Sequence, residues 1–110
     1  MKLNHHGSIL IYTIHDDGMR DSFLMKVKET FKGCKPINES TYSLNSKDID
    51  GAINKISQIY TECKQQTNHI IEKDYISLLC SPTLKSESYK GKKEMDDVIE
   101  YHIIGTKFHV

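Results

Sequence analysis

The 110-residue chain predicts an α+β domain. Three observations carry that reading. Short runs rich in β-branched and aromatic residues alternate with longer stretches of helical period, in the order strand, helix, strand, strand, helix, strand. Within 47–64, Ile49, Ala52, Ile53, Ile56, Tyr60 and Cys63 fall on one helical face, with Asp50, Asn54, Lys55, Gln58, Glu62 and Lys64 on the other. A hydrophobic content of 37% at this length suits a single core and no second domain.

The first element is Ile9-Leu10-Ile11-Tyr12-Thr13-Ile14, short and β-branched enough for a strand buried on both faces. The elbow His15-Asp16-Asp17-Gly18 follows, with aspartates suited to helix capping. Phe23, Leu24, Val27 and Phe31 then recur at helical spacing over 20–31, and Gly33 makes a stop. Residues 34–44 read as two short strands, the first at an edge because Pro36 lacks a ladder N–H; Tyr42 and Leu44 alternate with polar neighbours. The helix 47–64 comes next. His69 to Glu72 is a connection or a strand fragment, and Tyr75 to Cys80 is a strand stopped by Ser81-Pro82. The polar stretch 83–94 reads as a solvated loop, Val98 to Ile104 as a strand, and 106–110 as its resumption after Gly105.

The order βαββαβ is the ferredoxin-like split βαβ plan: a four-stranded antiparallel sheet, two helices on one face, and here an extra C-terminal strand. Residues 1–7 are expected to be a disordered N-terminus or an appended tag, with 8–80 the ferredoxin-like domain and 81–95 a polar linker. Residues 96–110 are expected to form a C-terminal strand suited to a dimer interface.

Fifteen basic residues balance fifteen acidic ones, so the excess positive charge of most nucleic-acid binders is missing. No apolar run approaches the roughly 18 residues that cross a bilayer, and no signal-peptide core is present; the expectation is a cytoplasmic protein without a membrane partner. Cys34, Cys63 and Cys80 are odd in number and widely spaced, and read as small buried hydrophobes.

His15, Asp16 and Asp17 form the most chemical-looking cluster, an imidazole and two carboxylates in a strand-to-helix turn. Metal binding or acid–base work is one reading; a helix cap beside an exposed histidine is the other. Arg20, Lys28 and Lys32, and the flexible run Lys90, Lys92 and Lys93, are candidate contacts to nucleic acid or a protein partner, against the plainer reading of solvated faces. His69, His102 and His109 lack ligand spacing. Tyr12, Tyr42, Tyr75 and Tyr101 suit core or dimer packing better than base stacking. No phosphate-binding loop, dinucleotide fingerprint or nucleophile elbow occurs.

The run 9–17, followed by Arg20 and a helix ending at Gly33, resembles the opening of the small CRISPR-associated endoribonuclease-like proteins, which form the dimeric core of the spacer-acquisition complex. Glu39-Ser40-Thr41-Tyr42-Ser43-Leu44 is similar to their second hairpin strand, and equally to that of their SinR-like and virulence-associated protein D relatives. The resemblance covers about residues 8–80 and implies a ferredoxin-like fold and a symmetric homodimer. It also implies metal-dependent phosphodiester cleavage by a strand-end aspartate, but Thr13 stands at that position, and a hydroxyl is a poor ligand for a hard cation. The resulting expectation is a small dimeric binding module, structural or regulatory, in a nucleic-acid-processing or phage-defence setting, with no cofactor. One alternative is an endoribonuclease holding Mg2+ on Asp16 and Asp17, with His15 or Ser40 assisting. Another is a small inhibitor of a defence complex.

Overall fold

The structure is a computed structural model that describes residues 7–66, 73–94 and 97–105. The elements are β1 (Ser8–Thr13), α1 (Asp17–Thr30), β2 (Lys35–Asn38), β3 (Thr41–Ser43), α2 (Ile49–Gln65) and β4 (Tyr75–Cys80). A 3₁₀ turn at Pro82–Leu84, β5 (Lys92–Glu94) and β6 (Ile99–Ile104) complete them. All strands pair antiparallel in one sheet of order β2-β3-β1-β4-β6-β5. The sheet therefore has six strands where the sequence reading expected four and a C-terminal addition. Part of the excess is β5, which lies inside the stretch 81–95 read as a linker. Its residues Lys92, Lys93 and Glu94 are all exposed, so no hydrophobic alternation marks them. The expected strand fragment at 69–72 and the resumption at 106–110 lie outside the described residues.

Alternation along the strands builds the core. Leu10 and Tyr12 of β1, Tyr42 of β3, Ile76, Leu78 and Cys80 of β4, and Ile99 and Tyr101 of β6 share one face, where they meet both helices in a single cluster. From α1 come Met19, Phe23 and Val27, four residues apart. From α2 comes a broader stripe of seven buried residues, Ile49 to Cys63. Both helices begin on an aspartate cap. The Met19 N–H donates to Asp16 Oδ1 at 2.7 Å, and the Gly51 N–H to Asp48 Oδ1 at 3.0 Å. At the other end of α1 the Phe31 N–H returns to the Val27 carbonyl, so the helix closes before Gly33.

Buried polar contacts fasten the remaining segments. Asp74, 3% exposed, sits just ahead of β4. Its Oδ2 accepts from the Tyr60 hydroxyl of α2 at 2.7 Å and its Oδ1 from the His15 N–H at the β1–α1 elbow at 3.1 Å. Gly105, at φ +70°, ends β6 against the Asp74 carbonyl, where a Cβ would collide. In the stretch 81–91, the Ser86 N–H donates to the Tyr101 hydroxyl at 2.6 Å, while the Ser86 and Ser88 hydroxyls both donate to Asp50 on the first turn of α2. Those two donors hold the Asp50 carboxyl below its ordinary range.

Replacing Asp74 by Ala strips two donors, one of them a buried hydroxyl, of their acceptor. Asp74→Ala is expected to lose about 3 kcal/mol in urea unfolding, and Tyr60→Phe, which removes one hydrogen bond, about 1 kcal/mol.

Candidate functional site

The elbow residues His15, Asp16 and Asp17 are all exposed and point to different tasks. Asp16 caps α1, and Asp17 Oδ1 is ion-paired with Arg20 at 2.9 Å across one helical turn. His15 contributes its backbone N–H to Asp74. Among the described residues no group of three or more His, Cys, Asp and Glu side chains is placed to hold a metal ion. What the elbow builds is a helix start, with a carboxylate at each of the two positions where α1 favours negative charge.

Arg20 reaches a different place. Between α1 and the β2–β3 hairpin lies a cleft of about 520 Å³ lined by Tyr12, Thr13, Arg20, Leu24, Asn38, Glu39, Ser40 and Tyr42, with Ile14 beside them. The sequence-predicted residues Thr13, Arg20 and Ser40 meet here. The turn that walls the cleft is fixed by short contacts. The Ser40 N–H donates to Asn38 Oδ1 at 2.9 Å, the Tyr12 hydroxyl to the Glu39 carbonyl at 2.8 Å, and the Tyr12 N–H to the Ser40 carbonyl at 3.1 Å. Burial and the neighbouring Tyr42 push the Tyr12 phenol up, with Arg20 pulling against them. The cleft thus offers one guanidinium, a hydroxyl and an amide side chain over an aromatic floor. Glu39 is the only side-chain carboxylate among the residues that line it.

Along the same flank, Leu24 also lines a second cleft with Asp21, Met25, Lys28 and Glu29. Met25 is 62% exposed and Ile37 53%; they are the exposed large apolar residues of the described chain. Lys28 lies over the Tyr42 ring, 5.8 Å from its centroid. Because α1 ends at Thr30, Lys28, Lys32 and Lys35 occupy a helix, a turn and a strand and do not form one stripe. Lys90 is exposed beside the far edge strand, where Lys92 and Lys93 belong to β5.

A third polar group was not foreseen. On the sheet face away from the helices, the Tyr75 hydroxyl donates to the buried carboxylate of Glu100, with His102 Nδ1 3.5 Å from the same oxygen. Ser77, 0% exposed, stands across from His102 in the β4–β6 register, on the same face as Tyr75. Desolvation first, then the Glu100 contact, pushes the Tyr75 phenol up to about 12. A register of this kind is set by sheet pairing between positions 25 or more residues apart, so spacing in the sequence gives no sign of it. None of the clefts described above reaches this group. The other tyrosines and two cysteines belong to the core: Tyr101 is pushed up to about 12 and Cys80 to about 11, in both cases mainly by burial. No helix among the described residues is long and apolar enough to cross a membrane. Compared with protein-family models, curated proteins and solved structures, the chain matches none, so the resemblance over residues 8–80 rests on its own motifs.

Two outcomes follow from this geometry. Asparagine caps as well as aspartate, so Asp16→Asn should leave the urea midpoint unchanged while Asp16→Ala loses about 1 kcal/mol. Tyr60, Tyr75 and Tyr101 all hold their protons more tightly folded than unfolded. Their contribution is therefore complete below the unfolded value of about 10 and is lost as pH rises toward 12. Absorbance at 295 nm and far-UV circular dichroism should accordingly change together in one cooperative alkaline step.

Proposed function

We propose that this chain is a homodimeric binding module on a ferredoxin-like core, acting by docking and without nuclease chemistry of its own. The succession β2-β3-β1-β4 under α1 and α2 supports the core, with β6 and β5 as additions beyond β4. The observation that carries the docking reading is the flank made by α1 and β2. Met25 of α1 and Ile37 of β2 are both exposed, Leu24 joins the two clefts, and Lys28 and Arg20 share α1 with Asp21 and Glu29. An apolar centre with both charge signs around it is self-complementary, as a two-fold interface requires: Lys28 of one copy faces acids of the other.

This reading puts the contact on side chains and not on strand addition. Lys35, Pro36 and the bulge between Pro36 and Asn38 defend the β2 backbone, and Lys92 and Lys93 defend the β5 edge. Strand β6 is paired on both sides within the described sheet, between β4 and β5. Side chains of the flank therefore make the contact. The elbow supports the non-nuclease reading, since Asp16 and Asp17 serve the helix and the family's strand-end aspartate is Thr13. A nucleic-acid-processing or defence setting follows from the resemblance of residues 8–80.

Size-exclusion chromatography with light scattering tests the dimer. Wild type is expected at twice the chain mass, and Met25→Glu with Ile37→Asp at the chain mass with an unchanged circular dichroism spectrum. A wild-type monomer across the accessible concentration range would overturn the reading. So would a dimer indifferent to both substitutions.

A further inference from the structure

A second recess lies at the other end of the helices, where the α1–β2 turn faces the segment leading into α2. It measures about 380 Å³, and its rim carries Lys32, Lys47 and Lys55 with Gly33, Asn45 and Ser46 between them. We propose that this recess is a binding site for a small phosphorylated ligand, a phosphomonoester or pyrophosphate group held by the three ammonium groups.

The charges are the first argument. In a chain whose acids and bases are equal in number, three lysines meet here with no acidic side chain within 4.0 Å of any of them among the described residues; the ion pairs present join Arg20 to Asp17 and Lys26 to Glu62. The carboxylate that does line the recess, Asp48, is occupied by the Gly51 N–H as the cap of α2. The sign is also wrong for plain helix stability. Lys47 directly precedes the cap, at the helix end that disfavours cations. A bound anion removes both penalties.

The walls are the second argument. Ser46 is strapped to the start of β1: the Ser8 hydroxyl donates to its carbonyl at 3.3 Å, and the Leu44 N–H returns to the Ser8 carbonyl at 2.9 Å. Gly7, at φ +104°, packs its Cα where a Cβ would strike the Ser46 backbone. Asn45 holds φ 55°, the left-handed region that asparagine tolerates, and its side-chain amide lies against Gly33. Lys55 is positioned over the Phe31 ring, 5.9 Å from its centroid. The lysine stems thus rise from a fixed frame. The recess is bounded by turns on two sides, and the basic residues nearest in sequence, Lys28 and Lys35, sit on other elements. Those limits fit a compact anion better than a nucleic-acid backbone, which needs a continued track of positive charge.

Calorimetric titration of the full chain with inorganic pyrophosphate is expected to show one site per chain. Lys32→Gln, Lys47→Gln and Lys55→Gln together should weaken it at least about tenfold, while Lys92→Gln at the far sheet edge should not change it. The single variant Lys47→Glu, which leaves the Lys55 contact to Phe31 intact, guards against misfolding of the triple variant and should also weaken binding. Amide shifts at Gly33, Asn45 and Ser46 should accompany the titration. No binding of pyrophosphate, or binding that the triple variant and Lys47→Glu both preserve, overturns the site. A single-stranded oligonucleotide that binds more tightly than pyrophosphate through the same lysines overturns the small-ligand assignment.

Discussion

The carboxylate of Asp74 is the contact on which the arrangement of this molecule depends. One oxygen takes the hydroxyl of Tyr60 from α2 and the other takes the main-chain N–H of His15. The residue's own backbone leads directly into β4, the strand that holds β1 on one side and β6 on the other. A buried carboxylate is stable only while its donors are present, and these donors come from the elbow ahead of α1 and from α2 itself. The elbow that starts α1 and the C-terminal half of α2 are thereby fixed relative to the central strand. The clefts along α1 inherit their geometry from that fixation.

Two surfaces follow one another along α1 and just beyond its end, and they differ in kind. Along the helix, Asp21, Leu24, Met25, Lys28 and Glu29 make a face of mixed charge that includes the exposed Met25. Beyond its end, the recess at the head of α2 is polar and carries three lysines beside one carboxylate, the capping Asp48.

Much of this was legible in the sequence, for definable reasons. The period of α2 was visible because seven buried residues follow one helical stripe; β1 was visible because it is short and β-branched, and β4 because it is a short, mostly apolar run stopped by Ser81-Pro82. The helix starts moved only slightly. The periodic residues begin at Arg20 and the capped helix at Asp17, because a cap extends a helix past its first apolar residue. What stayed hidden required pairing across the sheet. β5 is three charged residues recognisable only by its register with β6. Nothing near Asp74 in the sequence marks its role, since Tyr60 and His15 lie 14 and 59 positions away. Tyr75, Ser77, Glu100 and His102 come together by register alone. The elbow carried the opposite lesson: His15, Asp16 and Asp17 are a chemical cluster in sequence, yet the fold spends them on a cap, an ion pair and a backbone contact.

The insertion of β6 between β4 and β5 has a consequence for how the chain is born. As synthesis proceeds from the N-terminus, β4 must wait with one edge bare, and β5 has no neighbour to join, until β6 has left the ribosome and slotted between them. The interior strand of that half-sheet is thus the last to arrive. Until then the β4 edge that carries Leu78 and Leu79 lacks its β6 partner, which marks this interval as the one in which a chaperone would find something to hold.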